Sequence, residues 1–109
     1  MATFQLKQND RLPKLRAALT DTTGAALDLT GATVGFRMRA RGPGVAVVLT
    51  GTAAAVAPAT SGVVEYTWGA GDTATPGVYD AEWVLTYAGS VQTVPTTGYL
   101  VVVVEPTIA

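Results

Sequence analysis

The stretch Gly77–Tyr87 constrains the fold more than any other part of the chain. Read with the two-residue period of a β-strand, its side chains separate into two different rows. The first row is aromatic and aliphatic and consists of Tyr79, Ala81, Trp83, Leu85 and Tyr87. The second row carries two carboxylates. Because a one-residue slip in pairing would expose Trp83 and bury Glu82, the register of this strand fixes the inward faces of its neighbours. We therefore predict one long strand laid across a core, with a partly solvated back.

Several shorter segments alternate in the same way and predict further strands. These are residues 3–7, 15–19, 32–40, 63–68 and 91–94. Residues 98–105 are apolar on both faces, which indicates a strand covered on both sides. Residues 45–57 predict a hairpin of small residues that turns at Gly51. With turn signals between the segments and no helical period, we predict an all-β fold, an immunoglobulin-like antiparallel β-sandwich of about 7–9 short strands.

The length of 109 residues suits one domain with a core of its own. We predict a single β-sandwich over residues 1–109, in which residues 1–12 form either a first strand or an extended N-terminal arm. The inward aromatic residues expected in its core are Phe36, Tyr66, Trp68, Tyr79, Trp83 and Tyr87. Each buried Trp or Tyr is expected to find a hydrogen-bond partner for its polar atom.

The charges are divided unevenly along the chain, although the net charge is only −1. All seven cations lie in the first 41 residues, and every charge after Arg41 is acidic. We expect early and late strands to pair, so that opposite charges meet across the sheet. Arg37 and Arg39 repeat the spacing of Asp80 and Glu82, which predicts two cross-strand ion pairs. The spaced cations and a pI of about 5.1 argue against nucleic acid as a partner.

The residue types needed for most catalytic sites are missing. The chain has no histidine and no cysteine, which excludes thiol nucleophiles and imidazole metal ligands. Asp80 and Glu82, about 7 Å apart on one strand face, could serve as paired catalytic carboxylates, but ion pairing with arginine explains them better. Asp72 is a single carboxylate in a loop, where a cap or Asx-turn is expected rather than a calcium cage. We predict no enzymatic activity, no metal and no cofactor.

What remains is a surface for protein contacts. An uncovered row of Leu100, Val102 and Val104 would be an aggregation hazard. Either another segment of the chain covers this row, for which Phe4 and Leu6 are candidates, or a neighbouring subunit does. The candidate interface residues are Phe4, Leu6, Arg11, Leu100, Val102 and Val104.

A membrane is not an expected partner. The longest apolar run, residues 99–104, is far too short to cross a bilayer. The N-terminal residues also lack the apolar core of a secretory signal, so we expect synthesis and folding in the cytosol.

The chain contains, in this order, FQLKQNDRLPKLRAALTD, LDLTGATVGFRMR, GVVEYTW, GDTATPGVYDAEWVLTY and GYLVVVV. Together these stretches resemble the immunoglobulin-like N-terminal domain of the baseplate upper protein family of tailed phages. The resemblance spans about residues 3–104, and residues 29–38 with residues 75–83 are its most distinctive part.

The resemblance implies a non-catalytic virion structural protein, made in the host cytoplasm and used as a protein–protein adaptor in the tail or baseplate. Its implied partners are other virion proteins in a symmetric assembly. No binding residue is carried over from the family. Two alternatives stay open. One is a capsid or neck decoration protein of the same fold. The other is a carbohydrate-recognition module for host attachment, which would need two exposed ring faces side by side.

Overall fold

Eight β-strands account for nearly all of the regular structure in the described part of the chain, which confirms the predicted all-β, sandwich-like fold. The computed structural model describes residues 3–21, 23–41, 47–95 and 99–108. The strands are β1 (Thr3–Lys7), β2 (Leu15–Ala18), β3 (Thr33–Ala40), β4 (Val47–Ala55), β5 (Val63–Tyr66), β6 (Gly77–Tyr87), β7 (Ser90–Val94) and β8 (Leu100–Glu105). A short 3-10 helix at Ala59–Ser61 precedes β5.

The strands follow one hydrogen-bonded path, β1-β8-β6-β3-β4-β5-β2, with β7 paired to β6. Strand β4 joins the two layers, because most of it pairs with β3 while Ala54 and Ala55 pair with β5. The path therefore bends over on itself into a sandwich that is nearly barrel-shaped.

One strand pair differs in direction from the predicted antiparallel sandwich, because β1 runs parallel to β8 while the other strand pairs are antiparallel. Strands β1 and β2 are consecutive in sequence but lie at opposite ends of the path. The chain between them crosses from one layer to the other. Strand β1 occupies the predicted N-terminal arm, of which residues 1 and 2 lie outside the described residues.

Strand β6 has the predicted orientation. Tyr79, Ala81, Trp83 and Leu85 are buried, and Tyr87 is half-buried at the end of the same row. Along one edge the strand pairs with β3 over eight residue pairs. Along the other edge it pairs with β8 in its first half and with β7 in its second half. Every strand of this layer is thus placed directly or indirectly by β6.

The core is centred on packed aromatic rings. Phe36 stacks on Tyr66 with ring centroids 4.7 Å apart, and it contacts Trp83 at 5.0 Å. Tyr66 meets Trp68 edge-on at 5.3 Å. All four rings are buried, as predicted. Since β3 and β6 belong to one layer and β5 to the other, the Phe36–Tyr66 stack joins the two layers, whereas the Phe36–Trp83 contact lies within one of them. Each aromatic pair adds about 0.5–1.5 kcal/mol beyond the area it buries.

The polar atoms of two buried rings, Trp68 and Tyr79, have backbone partners, which confirms the prediction for these two rings. The indole N–H of Trp68 donates to the carbonyl of Pro13 at 3.2 Å. The hydroxyl of Tyr79 donates to the carbonyl of Thr75 at 2.5 Å. Both bonds reach loops that flank the sheet, so the rings position those loops as well as filling the core.

The predicted hairpin at Gly51 is wrong, because β4 runs without a turn from Val47 to Ala55. Residues 45 and 46 of that prediction lie outside the described residues. Gly51 lies opposite Phe36 in the β3–β4 ladder. A Cβ atom at this position would come within 2.6 Å of the Tyr66 ring. The glycine therefore makes room for a ring stacked on the strand instead of bending the chain.

We expect Gly51→Ala to destabilise the protein by about 1–3 kcal/mol, because the added methyl group overlaps the Tyr66 ring. Gly35→Ala is the matched control. It lies on the neighbouring strand, and its added Cβ would meet nothing closer than 3.7 Å. The free energy of unfolding from urea denaturation should fall in the first variant only. Equal values within about 0.5 kcal/mol would contradict this account of Gly51.

Candidate functional site

The side of β3, β6 and β8 that points away from the core, here called the outer face, carries a ladder of opposite charges. An Nη atom of Arg37 lies 2.8 Å from Glu82 Oε1, which confirms the first predicted ion pair. The second pair differs from the prediction. Although Arg39 lies opposite Asp80 in the register, Asp80 Oδ1 accepts bonds from Nε and Nη of Arg41, at 3.1 and 3.0 Å.

The guanidinium of Arg39 lies instead over the ring of Tyr99. Its Cζ is 5.2 Å from the ring centroid, and an Nη atom donates to the tyrosine hydroxyl at 3.2 Å. A guanidinium at this distance is attracted to the ring face. The contact carries the charge ladder from β3 across β6 to the start of β8. Sequence reasoning missed it, because Arg39 and Tyr99 are far apart in sequence and belong to no shared motif.

The ladder surrounds a shallow hollow lined by Arg37, Arg39, Asp80, Glu82 and Tyr99. Its volume of about 120 Å³ is below the roughly 300–1,000 Å³ of small-molecule pockets. Both carboxylates at its wall are paired with arginine. The geometry thus favours ion pairing over catalysis for Asp80 and Glu82.

A separate ion-pair group joins β2 and β5. An Nη atom of Arg16 lies 2.7 Å from a carboxylate oxygen of Glu65, and Lys14 Nζ lies 3.7 Å from the other oxygen. The hydrogen bond from Arg16 is the largest cause that lowers the pKa of Glu65. Early cations therefore meet late carboxylates in both layers, as the uneven charge distribution predicts.

The predicted interface residues of β8 lie in the chain's own core. Leu100, Val102 and Val104 are 7%, 0% and 2% exposed. Phe4 and Leu6 lie beside Val102 and Val104 in the β1–β8 ladder, on the same side of the sheet. Of the two ways of covering this row, the structure has the one within the chain.

The outer row of β8 is therefore the one available to another molecule. It consists of Val101 and Val103, with Tyr99 just before the strand, and it continues onto Val78 of β6, which is 40% exposed. Contact of the six predicted interface residues with another protein stays a prediction.

Arg11, the remaining candidate, anchors the segment between β1 and β2. Its Nε donates to the carbonyl of Trp68 at 3.0 Å. Next to it, Thr73 Oγ1 donates to the carbonyl of Asp10 at 2.8 Å, and the N–H of Asn9 donates to the carbonyl of Thr73 at 3.0 Å. These bonds tie the crossing segment to the loop before β6. Arg11 thus has a structural role within the chain, although it is an exposed residue.

Asp72 closes its own loop by accepting bonds from residues that precede it, whereas the predicted cap or Asx-turn would use N–H groups that follow it. Its Oδ2 accepts hydrogen bonds from the N–H of Gly69 and the hydroxyl of Tyr66, both at 2.6 Å. Burial, followed by the bond and the negative charge of Asp72, raises the pKa of Tyr66 above its ordinary value. Within residues 3–21, 23–41, 47–95 and 99–108, no group of three or more His, Cys, Asp or Glu is placed to hold a metal.

The sequence matches no protein-family model and no curated protein. In the described part of the chain, no helix is both long enough and apolar enough to span a membrane. Function is therefore inferred from the residues themselves and from the resemblance that their motifs carry.

The raised pKa of Tyr66 predicts a loss of stability at alkaline pH. The folded state keeps the phenol proton above the ordinary pKa of about 10, whereas the unfolded chain releases it there, so the free energy of unfolding falls as pH rises past about 10. Tyr66→Phe should cost about 1 kcal/mol at neutral pH through the lost bond to Asp72, and should make the alkaline decline shallower. Urea titrations from neutral pH to about pH 11 measure both effects. Equal slopes for the two proteins would show that Tyr66 does not cause the decline.

Proposed function

We propose that this protein is a non-catalytic structural component of a tailed-phage virion that acts as a protein–protein adaptor in the tail or baseplate. The observation that carries the proposal is the ordered set of motifs over residues 3–104. Its two most distinctive parts, residues 29–38 and 75–83, contribute most of β3 and more than half of β6, and these two strands pair with each other.

The chemistry available to the chain also supports a role in binding. Histidine and cysteine are absent from the sequence. Asp80 and Glu82 are each held by an arginine, and Asp72 is used within its loop. These carboxylates stabilise the fold, so the function we propose is binding through the protein surface.

The outer face has the composition of a protein-binding surface. Val78, Val101 and Val103 form an apolar strip beside Arg39 and Tyr99. Arginine and tyrosine are enriched in protein interfaces, where they surround or anchor apolar contacts. This mixture suits an adaptor that docks on another protein.

A decoration protein of the capsid or neck is the first alternative, since the same fold and the same outer face would serve there. A carbohydrate-recognition module is less well supported. All Phe, Trp and Tyr residues fall in the described part of the chain, and Tyr99 is the one classed as exposed. One face of that ring is covered by Arg39, which leaves no pair of adjacent ring faces for a sugar.

The proposal is tested on particles of the phage or prophage that encodes this chain. After purification on a density gradient, quantitative mass spectrometry should find the chain in the particle fraction, at a fixed ratio to the major capsid protein. A phage-encoded non-virion protein from the same lysate is the control and should remain in the soluble fraction. Recovery of the chain only in the soluble fraction would overturn the proposal.

Immunogold labelling of the same particles then separates the possible positions. Label at the tail tip supports the adaptor role, whereas label on the head or neck supports the decoration protein instead.

A further inference from the structure

The edge formed by β7 has no partner in the described part of the chain. Strand β7 pairs with β6 on one side only. Strand β8 continues along the same edge of β6 and is covered on its far side by β1. Within the described residues that cover begins at Thr3, which lies beside Val101, and no described residue of β1 pairs with β7.

The geometry of the hairpin determines which backbone groups β7 presents. Strands β6 and β7 are joined by the two-residue turn Ala88–Gly89, and Tyr87 pairs with Ser90 at its base. In such a hairpin the closing pair exchanges both hydrogen bonds, and every second pair along the ladder repeats this pattern. The N–H and C=O groups of Val91 and Thr93 therefore point away from β6.

Two residues that alternate in this way form a self-complementary edge. We propose that β7 pairs antiparallel with β7 of a second copy of the chain, about a two-fold axis at Gln92. In this register Val91 lies opposite Thr93 of the second copy. The two equivalent pairs form four backbone hydrogen bonds. Pro95 lacks an N–H and limits the ladder at its end.

The side chains of β7 offer no obstacle to this pairing. Residues 88–99 carry no charge, whereas β1 carries Lys7 and β2 carries Arg16. Charged residues on an edge strand are a common protection against edge-to-edge pairing, and β7 lacks it. Val91 is 65% exposed, and Ser90 and Gln92 are also exposed. Pairing would cover Val91 with a β-branched threonine of the second copy and place two glutamine amides face to face.

A second copy fits this edge better than an unrelated strand, for two reasons. Two copies of the uncharged strand β7 can lie side by side without repulsion between like charges. The two-fold axis also places Val91 of each copy opposite Thr93 of the other. Two-fold dimers of this kind are the commonest closed assemblies. A single strand pair buries little area, so we expect weak association, in the micromolar to millimolar range. The pairing depends on the backbone of β7 and holds whether or not the protein belongs to a virion.

Sedimentation equilibrium of the full chain over a wide concentration range tests the pairing. The wild type should show a monomer–dimer equilibrium. Val91→Lys should lower the dimer affinity at least about tenfold, because it adds charge to the paired edge. Gln5→Lys adds the same charge to an exposed position of β1 and should leave the affinity unchanged. A wild type that stays monomeric at millimolar concentration, or a dimer that both lysine variants leave intact, would overturn the proposal.

Cross-linking tests the register. Since the chain has no cysteine, a single introduced thiol reports on its own position. At the axis, Gln92→Cys would face its equivalent in a non-hydrogen-bonded pair, with Cα atoms about 4.5 Å apart, within disulfide range. Val91→Cys is the control, because its two copies would lie about 8–9 Å apart, beyond that range. Mild oxidation should yield covalent dimer from the first variant and little from the second. The reverse result, or equal yields, would overturn the two-fold at Gln92.

Discussion

The register between β3 and β6 is the constraint on which the rest of the structure depends. On the inner side it brings Trp83 against Phe36, and on the outer side it brings Glu82 against Arg37. The two sides differ greatly in energy. An exposed ion pair contributes about 0–1 kcal/mol, whereas removing a buried aromatic ring costs about 3–5 kcal/mol. The aromatic row therefore fixes the alignment, and the charges on the back follow it.

The second layer depends on the first through a few large side chains. Tyr66 stacks on Phe36, lies over Gly51 and binds the Asp72 loop, so one ring joins β3, β4, β5 and the connection before β6. The same loop is also bound to the segment between β1 and β2, through the bonds of Thr73 with Asn9 and Asp10. On the outer face, arginines bind the carboxylates, and Val101 and Val103 are half-buried.

Strands with one apolar and one polar face were predictable from the sequence. The alternation of apolar and polar residues indicates both that the segment is a strand and which of its faces is buried. This held for β3, β5 and β6. The prediction failed at Gly51, because the sequence does not distinguish a glycine that makes room for an aromatic ring from one that turns the chain. It could not choose the buried row of β8, because both rows are apolar. The parallel pairing of β1 was also out of reach, since local pattern says nothing about which distant strand lies alongside. Similarly, Arg39 lies opposite Asp80 in the strand register, but the side chain of Arg41 binds the Asp80 carboxylate instead.

The parallel ladder between β1 and β8 has a consequence for the order of events during synthesis. Thr3 emerges from the ribosome long before Val101, its neighbour in the finished sheet. Until β8 has been made, Leu6 has no neighbouring strand. The nascent chain therefore has a β1 strand without its partner until β8 is translated. Contacts this distant in sequence form slowly and expose incomplete chains to aggregation. Strand β1 can therefore pair with its neighbour only after translation has reached the end of β8.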